Sequence, residues 1–479
     1  MAGDPIPVQL GVRSNKGRYG YEGAARLINC YAEQLGGEGK QPTPIYASDG
    51  WTLFATLAGG GVRALLELEG DTLAVAGRVL NRVAAGGGVT TIGGVASDGL
   101  VTMARNRRAT PQVAITCDGL SQIYSGGVLS VIDDADLPAA NSVTQLNGYF
   151  VWTLPDGRMF SSAIDNGTDI DGLDFATAES NPDGLVRGFV SGRDLLAFGR
   201  RSFEAWTDQG GETFPFSRVT ARDVGCLAPG SVCNVLVKQG GVTDATAFVA
   251  TNSDGAYAGV MLMQGYQPTK ISTPQCDRDI LAESNPAGIS GMSWDDGTHS
   301  FYAISGENFT WVFDAATGLP HERSSYGLTR WRASAVTHLS GATLFGDYAS
   351  PKLYRASSDS HSEAGDPIVL DIWTPPVHAY PHALKFDAVY LDVLPGVGVI
   401  GTGDELSPSV SVSYSEDGGN TWSGERLFAV GRLGDRRRRV KGTRFGKSGE
   451  DGRTWRFRMS SDVVKGLIGC SMVVEKQRA

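Results

Sequence analysis

The stretch from Ser415 to Trp422 carries the most specific spacing in the chain: Ser415, Asp417, Gly419, Thr421 and Trp422 fit S-x-D-x-G-x-T-W, the Asp-box pattern. Its physics is local. An aspartate closes an Asx-type turn, a glycine supplies permissive φ, and a tryptophan packs beneath the hairpin. The box therefore reads as a structural device and not as a catalytic one. The acidic run from Asp165 to Asp174 could offer oxygens to calcium, but its side chains miss the EF-hand register and no bidentate glutamate follows. It reads as a polar loop between repeated units. There is no G-x-S-x-G, no H-E-x-x-H and no P-loop. His378 and His382 are four apart, but Pro381 between them opposes a helix that would present both to a metal. No catalytic residue, metal or cofactor is expected, and the chain is not read as an enzyme.

Charge is more informative. Between Arg426 and Arg458 stand twelve basic residues and three acidic ones, a net of +9 that leaves −19 for the rest of a chain totalling −10. Such segregation means two opposed electrostatic faces. Three readings stay open: contact with nucleic-acid phosphates, docking onto an acidic partner or a neighbouring subunit, or a solvated hairpin tip. Docking is favoured, with Arg432, Arg436, Arg437, Arg438, Arg439, Lys441 and Arg444 as the residues that would carry it.

The elements that must hold these residues are strands. Glycine is unusually frequent, 64 of 479 residues, with no triplet period that would suggest collagen. Helical periodicity is nearly absent, the best candidate being Glu22–Ala32. Elsewhere β-prone runs alternate with Gly, Asp and Asn turns: Val62–Glu69 then Thr72–Ala76, Tyr149–Leu154 then Arg158–Ile164, Arg193–Phe198 then Ser202–Thr207. Such hairpins recur at a spacing of about 38 to 57 residues, a four-stranded propeller blade apiece. Their second strands are placed near Leu65, Met103, Thr144, Phe189, Val235, Met292 and Val336. Ala178–Gly184 returns almost unchanged as Ala282–Gly288, and Asn-Pro in each copy breaks a strand, so both are placed between blades.

The fold expectation is all-β: a β-propeller of seven blades, six being the alternative, plus a C-terminal β-sandwich-like domain. Residues 1–60 would form an N-terminal arm and a ring-closing strand at Trp51–Leu57, residues 61–360 the propeller, and residues 361–479 the second domain, entered through a linker-like passage at Pro375, Pro376 and Pro381. No run of 18 apolar residues occurs and the N-terminus lacks a secretory pattern, so synthesis without export is expected. The six scattered cysteines read as reduced thiols, with a Cys226–Cys233 bridge left open.

Several stretches together resemble the packaged-DNA stabilisation, or tail hub, proteins of short-tailed phages. They are Leu27–Glu33 with Thr43–Trp51, Asp174–Gly184, Arg193–Trp206, Val224–Val232, and the C-terminal part with Ser415–Trp422 and Gly431–Arg439. The resemblance implies a propeller with a β domain, assembled as a homohexameric ring under the portal and its adaptor. That ring would extend the DNA conduit, retain the packaged genome, and mount a needle, spike or fibre. The location implied is the virion, after synthesis in host cytoplasm. Acidic walls agree with such a role, since like charge keeps DNA from sticking. The alternative is a propeller that binds or hydrolyses glycans, suggested by the Asp-box and by Trp294, Trp311 and Trp331 if these are exposed. They are expected to pack within blades instead.

Overall fold

The computed structural model describes residues 4–178, 180–238, 242–252, 254, 256–399, 405–435 and 437–477. Short hairpins form wherever two β-prone runs flank a residue pair that tolerates positive φ. Asn147 and Gly148, at φ 52° and 93°, join Ser142–Leu146 to Tyr149–Thr153. That is the turn geometry matching the twist of the strands it connects.

These hairpins stack into seven blades built on four strands each, with short extra strands in blades 5 and 7. Blade 1 spans Val62 to Gly94, blade 2 Val101 to Val131, blade 3 Ser142 to Thr177 and blade 4 Leu185 to Arg222. Blade 5 runs from Gly225 to Lys270, with Gly225–Cys226 and Cys233–Val237 both pairing Thr243–Thr251. Blade 6 spans Ser290 to Glu322. Blade 7 takes three strands from Ala333 to Ser357, and its fourth is Gly50–Thr56 from the N-terminal segment, with the short strands Ser362–Glu363 and Asp366–Pro367 beyond it. The ring is thus closed by Gly50–Thr56 pairing Lys352–Ser357. Trp51 locks it, stacked on Phe345 and Tyr354 at 5.0 and 5.5 Å. The landmarks near Leu65 through Val336 do mark one strand per blade, but each lies on the innermost strand, which is the first of its blade except in blade 5, where Cys233–Val237 follows the short Gly225–Cys226. The innermost strands line a central cavity of about 390 Å³.

Seven hydrophobic clusters sit between successive blades, the last joining blade 7 to blade 1 through Ala55, Leu353, Val62 and Ala74. Because successive side chains on a strand point to opposite faces, one run serves two interfaces. Phe150 and Trp152 pack towards blade 2 while Val151 between them packs towards blade 4. Each fully buried apolar side chain of this kind contributes about 1.5–3 kcal/mol. This is why the blade interiors read as continuous apolar runs and not as alternation.

The second domain is a sandwich of two sheets over a core that includes Leu27, Phe386, Val412, Trp455 and Met472. One sheet runs in the order Cys30–Ala32, Ile45–Ala47, Gly466–Lys476, Leu384–Val393, Val440–Lys447. The other continues blade 6: Leu319–Glu322 meets Arg26–Ile28, which meets Leu370–Trp373, then Thr454–Met459, Ser409–Ser415 and Arg426–Ala429. Arg26–Ile28 is therefore a staple between the two domains, reinforced by the Arg26–Glu322 ion pair and by Arg26 stacked 4.9 Å over Trp373.

Three expectations are corrected. Glu22–Ala32 holds two strands and no helix; the one α-helix among the described residues is Pro274–Ala282, capped by Thr273 and pinned by Trp311 Nε1 donating to Asp279 at 2.9 Å. Pro375, Pro376 and Pro381 lie in a loop between two sandwich strands, not in an interdomain linker. Asn166–Thr177 is the outer strand of blade 3, so the acidic run lies within a blade and not between blades. Ala178 and the turn Ser180–Gly184 do lie between blades 3 and 4, as Ala282–Gly288 lies between blades 5 and 6; Glu179 is outside the described residues.

Candidate docking surface

Val440–Lys447 is the open edge of one sandwich sheet, and Arg426–Ala429 the open edge of the other. On the first, Val440, Gly442 and Phe445 turn into the core while Lys441, Arg444 and Lys447 face water. A register shift opposite Phe386 and Ala388 marks a bulge there, with Arg444 at φ 61°. Such a bulge re-aims a side chain at some backbone cost. Arg432, Arg437, Arg438 and Arg439 occupy the adjoining loop and are exposed. Arg438 donates to the Ala429 carbonyl at 3.0 Å and stands 4.0 Å from Asp435. Arg436 lies outside the described residues. Exposed Leu427 and Leu433 complete a surface that is basic and partly apolar.

The rest of the basic run does other work. Arg453 is buried; it pairs with Glu416, donates to the Phe445 carbonyl at 2.8 Å, and stacks 3.8 Å over Tyr414. Arg456 is tied to Asp371, and Arg458 to Glu425. The +9 of the sequence window is therefore not one patch. Lys447, Leu427 and Leu433 belong to the surface and were missed by the sequence reading; the open strand edge that unites them is a tertiary fact.

The Asp-box closes the hairpin between Ser409–Ser415 and Arg426–Ala429. Asp417 accepts from the Thr421 and Asn420 amides at 2.8 and 3.0 Å, and Gly419 N donates to Ser415 Oγ at 2.8 Å. The Thr421 hydroxyl and amide, donating to Asp417, hold its carboxyl down at about 2. Trp422 packs edge-on against Trp373 at 4.7 Å. The Ser415, Asp417 and Thr421 side chains are all engaged within the turn.

A cavity of about 650 Å³ opens between blades 6 and 7 and is lined by Asp49, Asp295, Asp296 and Arg323 among others. Two of its carboxylates are occupied. Asp295 binds Lys238 and Ser300, and Asp296 accepts from the Thr298 and His299 amides. Trp294, Trp311 and Trp331 are buried, so these three offer a sugar no exposed platform. All six cysteines are free thiols, Cys226 and Cys233 included. Among the described residues no group of His, Cys, Asp and Glu is arranged to hold a metal, and no helix is long and apolar enough to cross a membrane.

Family models match both domains in turn. One, described as bacteriophage P22 Gp10, beta-propeller, covers residues 10–361; the other, bacteriophage P22 Gp10, beta-sandwich, covers residues 371–475. The chain belongs to the P22 Gp10 family. That is the podophage tail hub and DNA-stabilisation family, so the resemblance seen in the sequence and the propeller-plus-sandwich fold both stand. No curated protein matches the chain significantly. Solved structures of similar fold include YCF48 bound to D1 peptide, with 11% identity, a TM-score of 0.41, and coverage of 64% of this chain and 97% of that one. The WD40 beta propeller domain of Doa1 has 11% identity, a TM-score of 0.37, and coverage of 64% and 96%. The Myceliophteria thermophila Cps50 (Swd1) propeller has 8% identity, a TM-score of 0.42, and coverage of 64% and 100%. These likenesses are too distant to bear on function. As a Gp10-family member the chain is a phage tail structural protein.

Proposed function

We propose that this chain is a tail hub, or nozzle: a ring component that extends the DNA channel below the portal and adaptor, helps retain the packaged genome, and mounts the tail needle, spikes or fibres. The observation that carries the reading is the family match along both domains. The residues fit an assembling part without catalysis, because the Asp-box and two carboxylates of the cavity between blades 6 and 7 are already engaged within the fold. The propeller axis holds only about 390 Å³, with Arg63 and Arg187 donating to backbone carbonyls beside it. That is a small-molecule volume. A DNA conduit would therefore run between copies in a ring, not through one propeller. Retention is tested on phage particles assembled without this chain, by the fraction of packaged DNA that resists nuclease. Loss of that resistance, restored by adding the purified chain, is expected. Particles that keep their DNA without it would overturn retention.

A further inference from the structure

We propose that the basic distal edge of the sandwich docks onto the outer edge of blade 3 of a second copy of this chain, so that copies join head to tail. This deepens the ring reading and rests on it.

The surface offered by blade 3 is its outermost strand, Asn166–Thr177, twelve residues long and unpaired on its outer side. Asp169, Asp171, Leu173 and Phe175 are exposed along it, Leu173 at 74%, and a bulge between Ile170 and Phe175 takes Asp171–Asp174 out of the regular ladder. Asp134 and Asp136 reach the same strand: Asp134 accepts from Ile170 N, and Asp136 lies against Gly172. No ion pair reaches Asp134, Asp136, Asp169, Asp171 or Asp174 among the described residues. Desolvation and neighbouring Asp171 raise the Asp174 carboxyl above the ordinary range, a mark of carboxylates left facing each other. The open outer strands of blades 1, 2, 4 and 5 carry no carboxylate; those of blades 4 and 5 carry Arg218, Arg222 and Lys270 instead.

Charge on an open strand edge is a common guard against edge-to-edge pairing. That guard needs no particular sign and would not expose Leu173, Leu427 and Leu433 beside the charges. Here one sign sits on each edge, each beside exposed apolar side chains, as at an interface whose two halves differ.

The topology places the two edges far apart on one copy. The sandwich joins the propeller at blade 6 through Arg26–Ile28 and at blade 7 through Ser362, which lies on the strand beside Gly50–Thr56 and whose hydroxyl donates to Asp462. Blade 3 is three blades away from each of them around the ring, opposite their junction. Within the sandwich, both sheet orders start beside the propeller and end at the basic edges, Val440–Lys447 and Arg426–Ala429. One copy therefore presents a basic pole and an acidic pole and cannot satisfy both by itself. Unlike patches give a heterologous contact, which closes into a ring when the rotation allows.

A charge swap tests this. One variant carries Arg437→Glu, Arg439→Glu and Lys441→Glu; the other carries Asp169→Lys, Asp171→Lys and Asp174→Lys. Neither should form the wild-type oligomer in light scattering, while an equimolar mixture should regain it. On wild type, a carbodiimide should link Lys441 or Lys447 of one copy to Asp169, Asp171 or Asp174 of another, which keeps the test alive should a variant misfold. A wild type that stays monomeric at high concentration, a folded variant that still assembles alone, or cross-links confined to other surfaces would overturn the interface. If wild type forms rings yet its cross-links lie elsewhere, the interface falls and the tail-hub reading stands. DNA retention by particles lacking the chain strikes at that reading instead.

Discussion

Arg453 and Arg437 belong to one basic run and do unlike things. Arg453 is 3% exposed and serves two carbonyls and Glu416, whereas Arg437 points into water. Arg453→Ala should destabilise the fold by about 2–3 kcal/mol, because buried acceptors lose their donor, while Arg437→Ala should stay within about 0.5 kcal/mol. Denaturant melts of the two variants check the contrast. His321 gives a pH signature. It is buried among Tyr31 and Phe301 with both ring nitrogens unpartnered; burial, then the Arg323 charge, pushes it down to about 3. Unfolding therefore takes up a proton between the ordinary histidine value of 6.5 and about 3, and stability should fall as pH drops through that window. His321→Phe should flatten that part of the curve; an unchanged slope would mean the ring is protonated in the fold. Asp417 works in a lower range. Its folded carboxyl stands near 2, so its contribution is present above the ordinary aspartate range and lost as pH falls towards 2. The Asp-box was legible from spacing alone because the hydrogen bonds that close its turn run between residues no more than four apart. The roles of the arginines were not, since burial depends on which strands become neighbours.

The hairpins were legible because strand, turn and partner strand adjoin in sequence, and Gly at positive φ marks the turn. Strands paired across the whole chain were not. Arg26–Ile28 is three residues long and pairs with Glu322 and with Asp371–Trp373, so its local pattern carries no sign of its partners. The helix Pro274–Ala282 was passed over although Thr273 followed by Pro274 is a helix-start signal; nine residues give too few apolar positions to show periodicity. The closing strand Gly50–Thr56 was visible as an orphan run before the first complete hairpin. Its weight can be measured. Trp51→Ala should cost about 3–5 kcal/mol, as expected for a large aromatic removed from a packed core, and should speed amide exchange first in Gly50–Thr56 and Lys352–Ser357. Exchange that rises evenly over all blades would mean the closure is not the weak seam.

At the scale of the molecule, a chain of net charge −10 keeps a basic tip on the sandwich and an acidic edge on the blade opposite. Charge segregation could be read from sequence, but the opposition of the two poles could not, because it depends on ring order and sheet order together. Contacts between such poles are screened over about 10 Å at roughly 0.1 M salt, so assembly should weaken as salt rises while the melting temperature of the single copy changes little. Sedimentation at increasing salt would show this. The most direct measurement is the native mass of the purified full chain at physiological salt, paired with electron micrographs of the same sample. A tail hub gives closed rings whose mass is a whole multiple of 50.6 kDa. A lone 50.6 kDa particle that binds or cleaves glycans, with no ring at any concentration, would contradict it.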